Sequence, residues 1–178
     1  MTLYLGIYLN DQYAAGVLWR EIARRAQRNN AGSDLGKVLE HVATAIAQDV
    51  ATFEQIMERV GVRRNPIKPA LAIAGERAGR LKLNGHLRSY SPLSRFSEFD
   101  LLAYGIEGKK VLWQNLRDCS DIGVRLPDID FDALIDRAHA QRDELEPYRL
   151  AAGRAALGGS PKADGAGLRP RLKERARH

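Results

Sequence analysis

The sequence predicts an all-α fold built from two helical hairpins, and three observations carry that prediction. Four long stretches place their apolar residues at helical spacing. Each is bounded by a cap or turn signal. Between the second and third lies a proline-bounded basic segment, Gly61 to Pro92, far too long for a hairpin turn.

In the first stretch Tyr4, Ile7, Tyr8, Ala15, Leu18, Trp19, Ile22 and Ala26 fall within one half of a helical wheel, with Gln12, Arg20, Arg24 and Gln27 opposite. The alternation through Leu3-Tyr4-Leu5 leaves its start open, and Asn29-Asn30-Ala31-Gly32 ends it. Ser33 is suited to an N-cap, with Asp34 at the positive end of the next helix dipole. That second helix places Leu35, Leu39, Val42, Ile46, Phe53, Ile56 and Val60 on its apolar face, and Gly61 stands where a left-handed C-terminal cap belongs. The turn before Ser33 is short enough that the two helices must run antiparallel.

Within the basic segment, Pro69 to Leu81 reads as a short helix with proline in its first turn. Gly75 and Gly79, four apart, predict a smooth face able to lie flat on other helices. Ser91-Pro92 is the next start signal, and Phe99, Leu102, Ile106, Leu112, Trp113 and Leu116 form the face of the third long helix. Asp118 to Gly123 breaks it. In the fourth, Phe131, Leu134, Ile135, Ala138, Leu145 and Ala152 share a face, and Pro147 predicts a kink or restart. The reading is one helical domain, 1–157, followed by a disordered Gly/Pro/Arg-rich tail, 158–178.

At 178 residues and 44% hydrophobic the chain can bury one sizeable core. Cys119 stands alone, which excludes an intramolecular disulfide framework and fits a reducing compartment. The N-terminus lacks the basic residues and cleavage site of a signal peptide, and no run approaches the roughly 18 apolar residues of a spanning helix. The expectation is a soluble cytoplasmic protein. Net charge is +6, and its placement is uneven. In the connection Arg63, Arg64, Lys68, Arg77, Arg80, Lys82 and Arg88 are opposed only by Glu76, and the tail is basic too. Such a cluster suits a protein or other anionic partner, nucleic acid included, with Tyr90 and Tyr104 available for stacking. A solvated basic loop is the plainer reading of the same residues.

The anomaly in the pattern is that each apolar face carries a polar residue near its middle: Asp11, Asp49, Glu98 and Gln141. A carboxylate among apolar side chains costs several kcal/mol without a partner, so these groups predict an interior polar cluster. Three acids from three helices also form the raw material of a carboxylate metal site holding iron or manganese. The plainer alternatives are an N-cap at Asp11, a first-turn acid at Glu98, and an ion pair from Asp49 to Lys109 or Arg142. Asp136-Arg137-Ala138-His139 is the one acid-x-x-His spacing on a long helix, and it projects to the solvent side. Gly105-Ile106-Glu107-Gly108-Lys109-Lys110 lacks the first glycine and the Ser or Thr of a phosphate loop and lies within a helix. No catalytic residue is assigned.

Tyr8-Leu9-Asn10-Asp11-Gln12-Tyr13-Ala14-Ala15-Gly16 and Gly79-Arg80-Leu81-Lys82-Leu83-Asn84-Gly85, with Ser91-Pro92-Leu93-Ser94, resemble an uncharacterised family of small bacterial proteins of the ferritin-like superfamily. The resemblance covers Leu3 to about Leu157. It implies a four-helix bundle whose middle connection runs the bundle's length, with the second and third long helices parallel. The second helix would be roughly 40 Å long, a distance the connection can span. The alternative is a plain up-and-down array with the connection's helix as an extra member. By position Asp11, Asp49 and Glu98 match places where ferritin-like proteins carry acidic ligands, but Thr52 stands where a histidine would complete the motif begun at Asp49. The functional expectation is a non-enzymatic interaction or adaptor module using the basic crossover and tail, with the possibility of homo-oligomers. Its alternatives are a carboxylate-bridged iron or manganese protein and a nucleic-acid-associated protein.

Overall fold

A computed structural model of the chain describes residues 3–83 and 91–158, side chains included except at 77–83. The side chains of Arg77, Arg80 and Lys82, the packing at Gly79, the whole of Arg88 and Tyr90, and the tail beyond Gly158 therefore lie outside the described residues. Helices make up the described fold: α1 (Leu3–Asn29), α2 (Asp34–Arg59), α3 (Ile67–Leu83), α4 (Pro92–Asp118), the single turn α5 (Ile122–Arg125) and α6 (Phe131–Leu157). No described helix is long and apolar enough to cross a membrane.

The helix ends follow from local hydrogen bonding. Ser33 Oγ accepts from the Gly36 amide at 3.0 Å, and Ser91 Oγ from that of Ser94 at 3.1 Å. At the end of α2, Gly61 adopts φ 75°, the Gly61 amide donates to the Glu58 carbonyl at 3.0 Å, and that of Val62 to Met57 at 2.8 Å. This pair of bonds is a Schellman cap. Asp130 Oδ1 caps α6 through the Ala133 amide at 2.9 Å. Pro147 does not restart the helix; it sits exposed inside an assigned helix that continues to Leu157.

α1 packs on α2 and α4, and α6 packs on the other sides of the same two helices. Two core clusters set the directions. One joins Leu9 from the start of α1 to Phe53, Ile56 and Met57 near the end of α2, Trp113 and Leu116 near the end of α4, and Phe131 and Leu134 at the start of α6. Trp113 lies between Phe53 and Phe131, ring centroids 5.9 and 6.5 Å away. The other joins Ile22 and Ala26, late in α1, to Leu39 and Val42, early in α2, to Phe99 and Leu102 in α4, and to Leu145 and Ala152 in α6. Neighbouring helices are therefore antiparallel, whereas the two diagonals, α2 with α4 and α1 with α6, are parallel. The chain leaves α2 at one end of the bundle and must enter α4 at the other.

α3 makes that journey along the outside of α1. Asn10 anchors its approach, donating to the Arg63 carbonyl at 3.2 Å and accepting from the Asn65 amide at 2.7 Å. Lys68 then pairs with Asp11 at 2.6 Å, and Glu76 with Arg25 at 3.1 Å. The order of these ties makes α3 parallel to α1. The contacts are polar because, of the described α3 side chains, Pro69 alone is buried. Gly75 corrects one expectation: it is exposed, with open space where a Cβ would stand, so it offers no packing face. The close helix contact occurs at Gly105 instead, where a Cβ would lie 2.6 Å from Cδ2 of Trp19. Alanine at either position removes a helix-propensity penalty of about 1 kcal/mol. Thermal melts should therefore diverge: Gly75→Ala raises the melting temperature by a few degrees, and Gly105→Ala lowers it because the indole must move. Two shifts of the same sign would contradict this packing.

Candidate functional site

At the seam between the two core clusters the sequence supplies polar side chains where the apolar rows of α2, α4 and α6 are interrupted. Asp49 follows Ile46 by one turn on α2, Lys109 follows Ile106 on α4, and Gln141 follows Ala138 on α6. The four-residue step from Arg137 to Gln141 puts both on one face of α6. These four residues meet. Asp49 is 2% exposed, and its two oxygens are divided between partners: Oδ1 accepts from Arg137 Nη2, and Oδ2 from Lys109 Nζ and from Gln141 Nε2, the latter at 3.3 Å. Gln141 returns its Oε1 to Lys109 Nζ. One anion thus faces two cations, and the set carries a net +1 while Lys109 is protonated.

Burial pulls the Lys109 ammonium below its ordinary pKa, and Asp49 opposes that shift through its charge and its hydrogen bond. Arg137 reaches the surface, 35% exposed, but its Nε is buried with no hydrogen-bond partner.

Beside this network, between α1 and α4, lies a partly open cavity of about 200 Å³. It exists because both helices present small residues at this level: Ala15 and Gly16 on α1, Gly105 and Gly108 on α4. Its walls are mainly apolar, with Ile46, Phe53, Trp19 and Trp113 among them, and Asp49 and Lys109 supply a polar end. Tyr104 and Gly108 line it from exposed positions. The Nε1 of Trp113 is buried without a hydrogen-bond partner.

The remaining polar residues singled out by the sequence do not join this centre. Asp11 is a correction to the interior cluster: it is exposed, on the side of α1 that α3 crosses, and its partner is Lys68. Glu98 is buried, but in a second group, accepting from Arg25 Nε at 2.5 Å while the same guanidinium binds Glu76. It stands beyond the first turn of α4, so it is no N-terminal capping acid. Arg142 pairs with Glu146 rather than Asp49. Asp136 and His139 are both exposed, as the spacing predicted. Among the described residues no three His, Cys, Asp or Glu side chains are grouped so as to hold a metal ion. Asp11, Asp49 and Glu98 are therefore not brought together.

Of the cations of the crossover, Arg64 pairs with Glu54 at 3.1 Å and Lys68 with Asp11, so part of that charge is neutralised by the bundle itself. Glu76, its one acid, is turned toward Arg25. Exposed Ile67 and Leu71, one turn apart, face solvent beside Lys68. No protein-family model, curated protein or solved structure matches this chain.

Proposed function

We propose that the chain is a non-enzymatic ferritin-like helical bundle whose basic crossover docks an acidic protein partner. The parallel run of α2 and α4, with α3 carried along α1 between them, supports the ferritin-like assignment over a plain up-and-down array. The observation that carries the functional reading is the contrast between centre and crossover. At the centre the one deeply buried carboxylate of the bundle seam, Asp49, is already held by two cations, which disfavours a carboxylate-bridged metal centre there: a divalent ion would have to displace Lys109 and Arg137. On the crossover, the acid is turned inward while Ile67 and Leu71 stay 64% and 67% exposed among basic residues. Exposed aliphatic anchors on a segment rich in Arg and Lys suit an acidic protein surface. Nucleic acid is less well served, because the exposed anchors Ile67 and Leu71 are aliphatic and offer no ring for a base to stack on.

The test is capture by the full chain, with the retained protein identified and rebound in purified form. Ile67→Asp with Leu71→Asp should abolish rebinding, and Arg77→Ala, Arg80→Ala, Lys82→Ala should weaken it about tenfold with a reduced salt dependence. A partner that rebinds both variants unchanged, or retention of DNA or RNA alone with affinity falling steeply in salt, overturns the proposal. So does concentration-dependent self-association through the same residues with no second protein.

A further inference from the structure

The cavity between α1 and α4 has a chemistry separate from the crossover, and its polar end is incompletely used. Lys109 Nζ carries three N–H groups when protonated, and two acceptors are present, Asp49 Oδ2 and Gln141 Oε1. One turn further along α4, the indole N–H of Trp113 is buried and without an acceptor. Both residues line the same cavity. Residues four apart on a helix are neighbours, about 5–6 Å between Cβ atoms, so one small group can approach both. Around these donors the charge is unbalanced: Asp49 contributes one negative charge against the positive charges of Lys109 and Arg137. Apart from Gln12, the rest of the lining is apolar or aromatic. Unused donors, a positive balance and an apolar body of space together define a complementary molecule: a compact apolar group bearing one anionic acceptor.

We infer that this cavity binds a small aromatic or branched aliphatic carboxylate, its carboxylate accepting from Lys109 and Trp113 and its apolar body lying against Trp19, Ile46 and Phe53. The volume sets the scale. A cavity of about 150 Å³ lined by apolar side chains holds benzene, so about 200 Å³ accommodates one ring with a carboxylate and excludes a drug-sized ligand. The glycines explain how the site is kept open. At Gly108 an added Cβ would meet nothing within 4 Å, so the helix could carry a side chain there without a clash. Glycine is the poorer helix former at that position, yet a larger residue would narrow the cavity. Burial lowers the Lys109 pKa, and a bound anion would oppose that shift as Asp49 already does.

The chain's two tryptophans, Trp19 and Trp113, both line the cavity, so intrinsic fluorescence reports on it directly. Benzoate and phenylacetate are titrated into the full chain, with benzyl alcohol and benzylamine as the neutral and cationic counterparts. The expected result is a saturable change in emission with the carboxylates, at least about tenfold weaker with benzyl alcohol and undetectable with benzylamine. Gly108→Leu, which retains a good helix former, should remove binding while leaving the melting temperature at or above that of the parent. Lys109→Met should reduce benzoate affinity about tenfold or more while sparing any residual benzyl alcohol binding. No saturable response to either carboxylate at millimolar concentration overturns the inference. Equal affinity for benzoate and benzyl alcohol reduces the site to an apolar void without anion recognition, and binding that survives Gly108→Leu places the ligand elsewhere; either result also overturns it.

Discussion

Replacing Asp49 with alanine is expected to lower the melting temperature by roughly 10 °C, since breaking a buried ion pair from one side costs about 3–5 kcal/mol and each kcal/mol is worth about 2–4 °C in a chain of this size. The cost arises from what is left behind. Lys109, 12% exposed at its side chain, loses the carboxylate that stabilises its charge, and Gln141 loses one of its two bonds. Arg137 is nearer the surface and recovers part of its hydration, so Lys109 bears most of the effect. The sign of the pH dependence follows. Without Asp49 the folded pKa of Lys109 drops further below its ordinary value of 10.5. Between those two pKa values the unfolded chain binds more protons than the folded one, so stability rises with pH across that interval. The deficit of Asp49→Ala should therefore shrink as the medium becomes alkaline.

A second variant separates charge from shape. Asp49→Leu, Lys109→Met, Arg137→Met and Gln141→Leu together remove every member of the network and keep similar volumes. Apolar replacement of a whole buried ionic group is commonly neutral or stabilising by about 1–4 kcal/mol, so the quadruple variant should melt well above Asp49→Ala. Differential scanning calorimetry of the two decides the matter. If Asp49→Ala shifts the midpoint by less than about 2 °C, the network does not hold the seam; if the quadruple variant melts no higher than the single one, packing geometry rather than unpaired charge sets the cost.

The features that could be read from the sequence are those whose causes are local. Ser33, Gly61 and Ser91 act on amides within three residues of themselves, so residue type and position were sufficient to place the ends of α2 and the start of α4. The partition of the chain into two hairpins joined by a crossover follows from the same signals. What the sequence obscured depends on which faces meet. Asp11 shares an arc with Tyr8, Ala15 and Leu18, but that arc is shared among α2, α3 and α4, and Asp11 falls where α3 crosses at the surface. The turn α5 has only four residues and is held by one buried side chain, Ile122, too short for any periodicity to show. Arg137 was legible in principle, being one turn from Gln141, yet choosing it over Arg142 required knowing the rotation of α6. The cavity needed still more: Gly16 on α1 lies about ninety residues from Gly105 and Gly108 on α4, and only their apposition turns poor helix formers into a wall.

Arg25→Ala is expected to produce the other large loss, about 3 kcal/mol for removing a charged partner of a buried carboxylate, together with a specific loosening of the crossover. Arg25 ties α1, α3 and α4 together, giving Nε to Glu98 and Nη1 to Glu76. The tie matters more for α3 than for α4. α4 is held by Phe99, Leu102, Trp113 and Leu116 in both core clusters, whereas the described side chains of α3 bury only Pro69 and its other described ion pair, Lys68 to Asp11, is well exposed. Exposed pairs contribute at most about 1 kcal/mol, so among the described contacts the largely buried Arg25–Glu76 bond carries a large share of the attachment. Hydrogen exchange distinguishes this from uniform destabilisation: protection across Ile67–Leu83 should fall well before that of Pro92–Asp118 in Arg25→Ala, and Glu76→Gln should reproduce the α3 effect with a smaller loss of global stability. Equal loss of protection in the two helices would mean that Arg25 serves only to neutralise Glu98, and that the crossover is fastened to the bundle by other means.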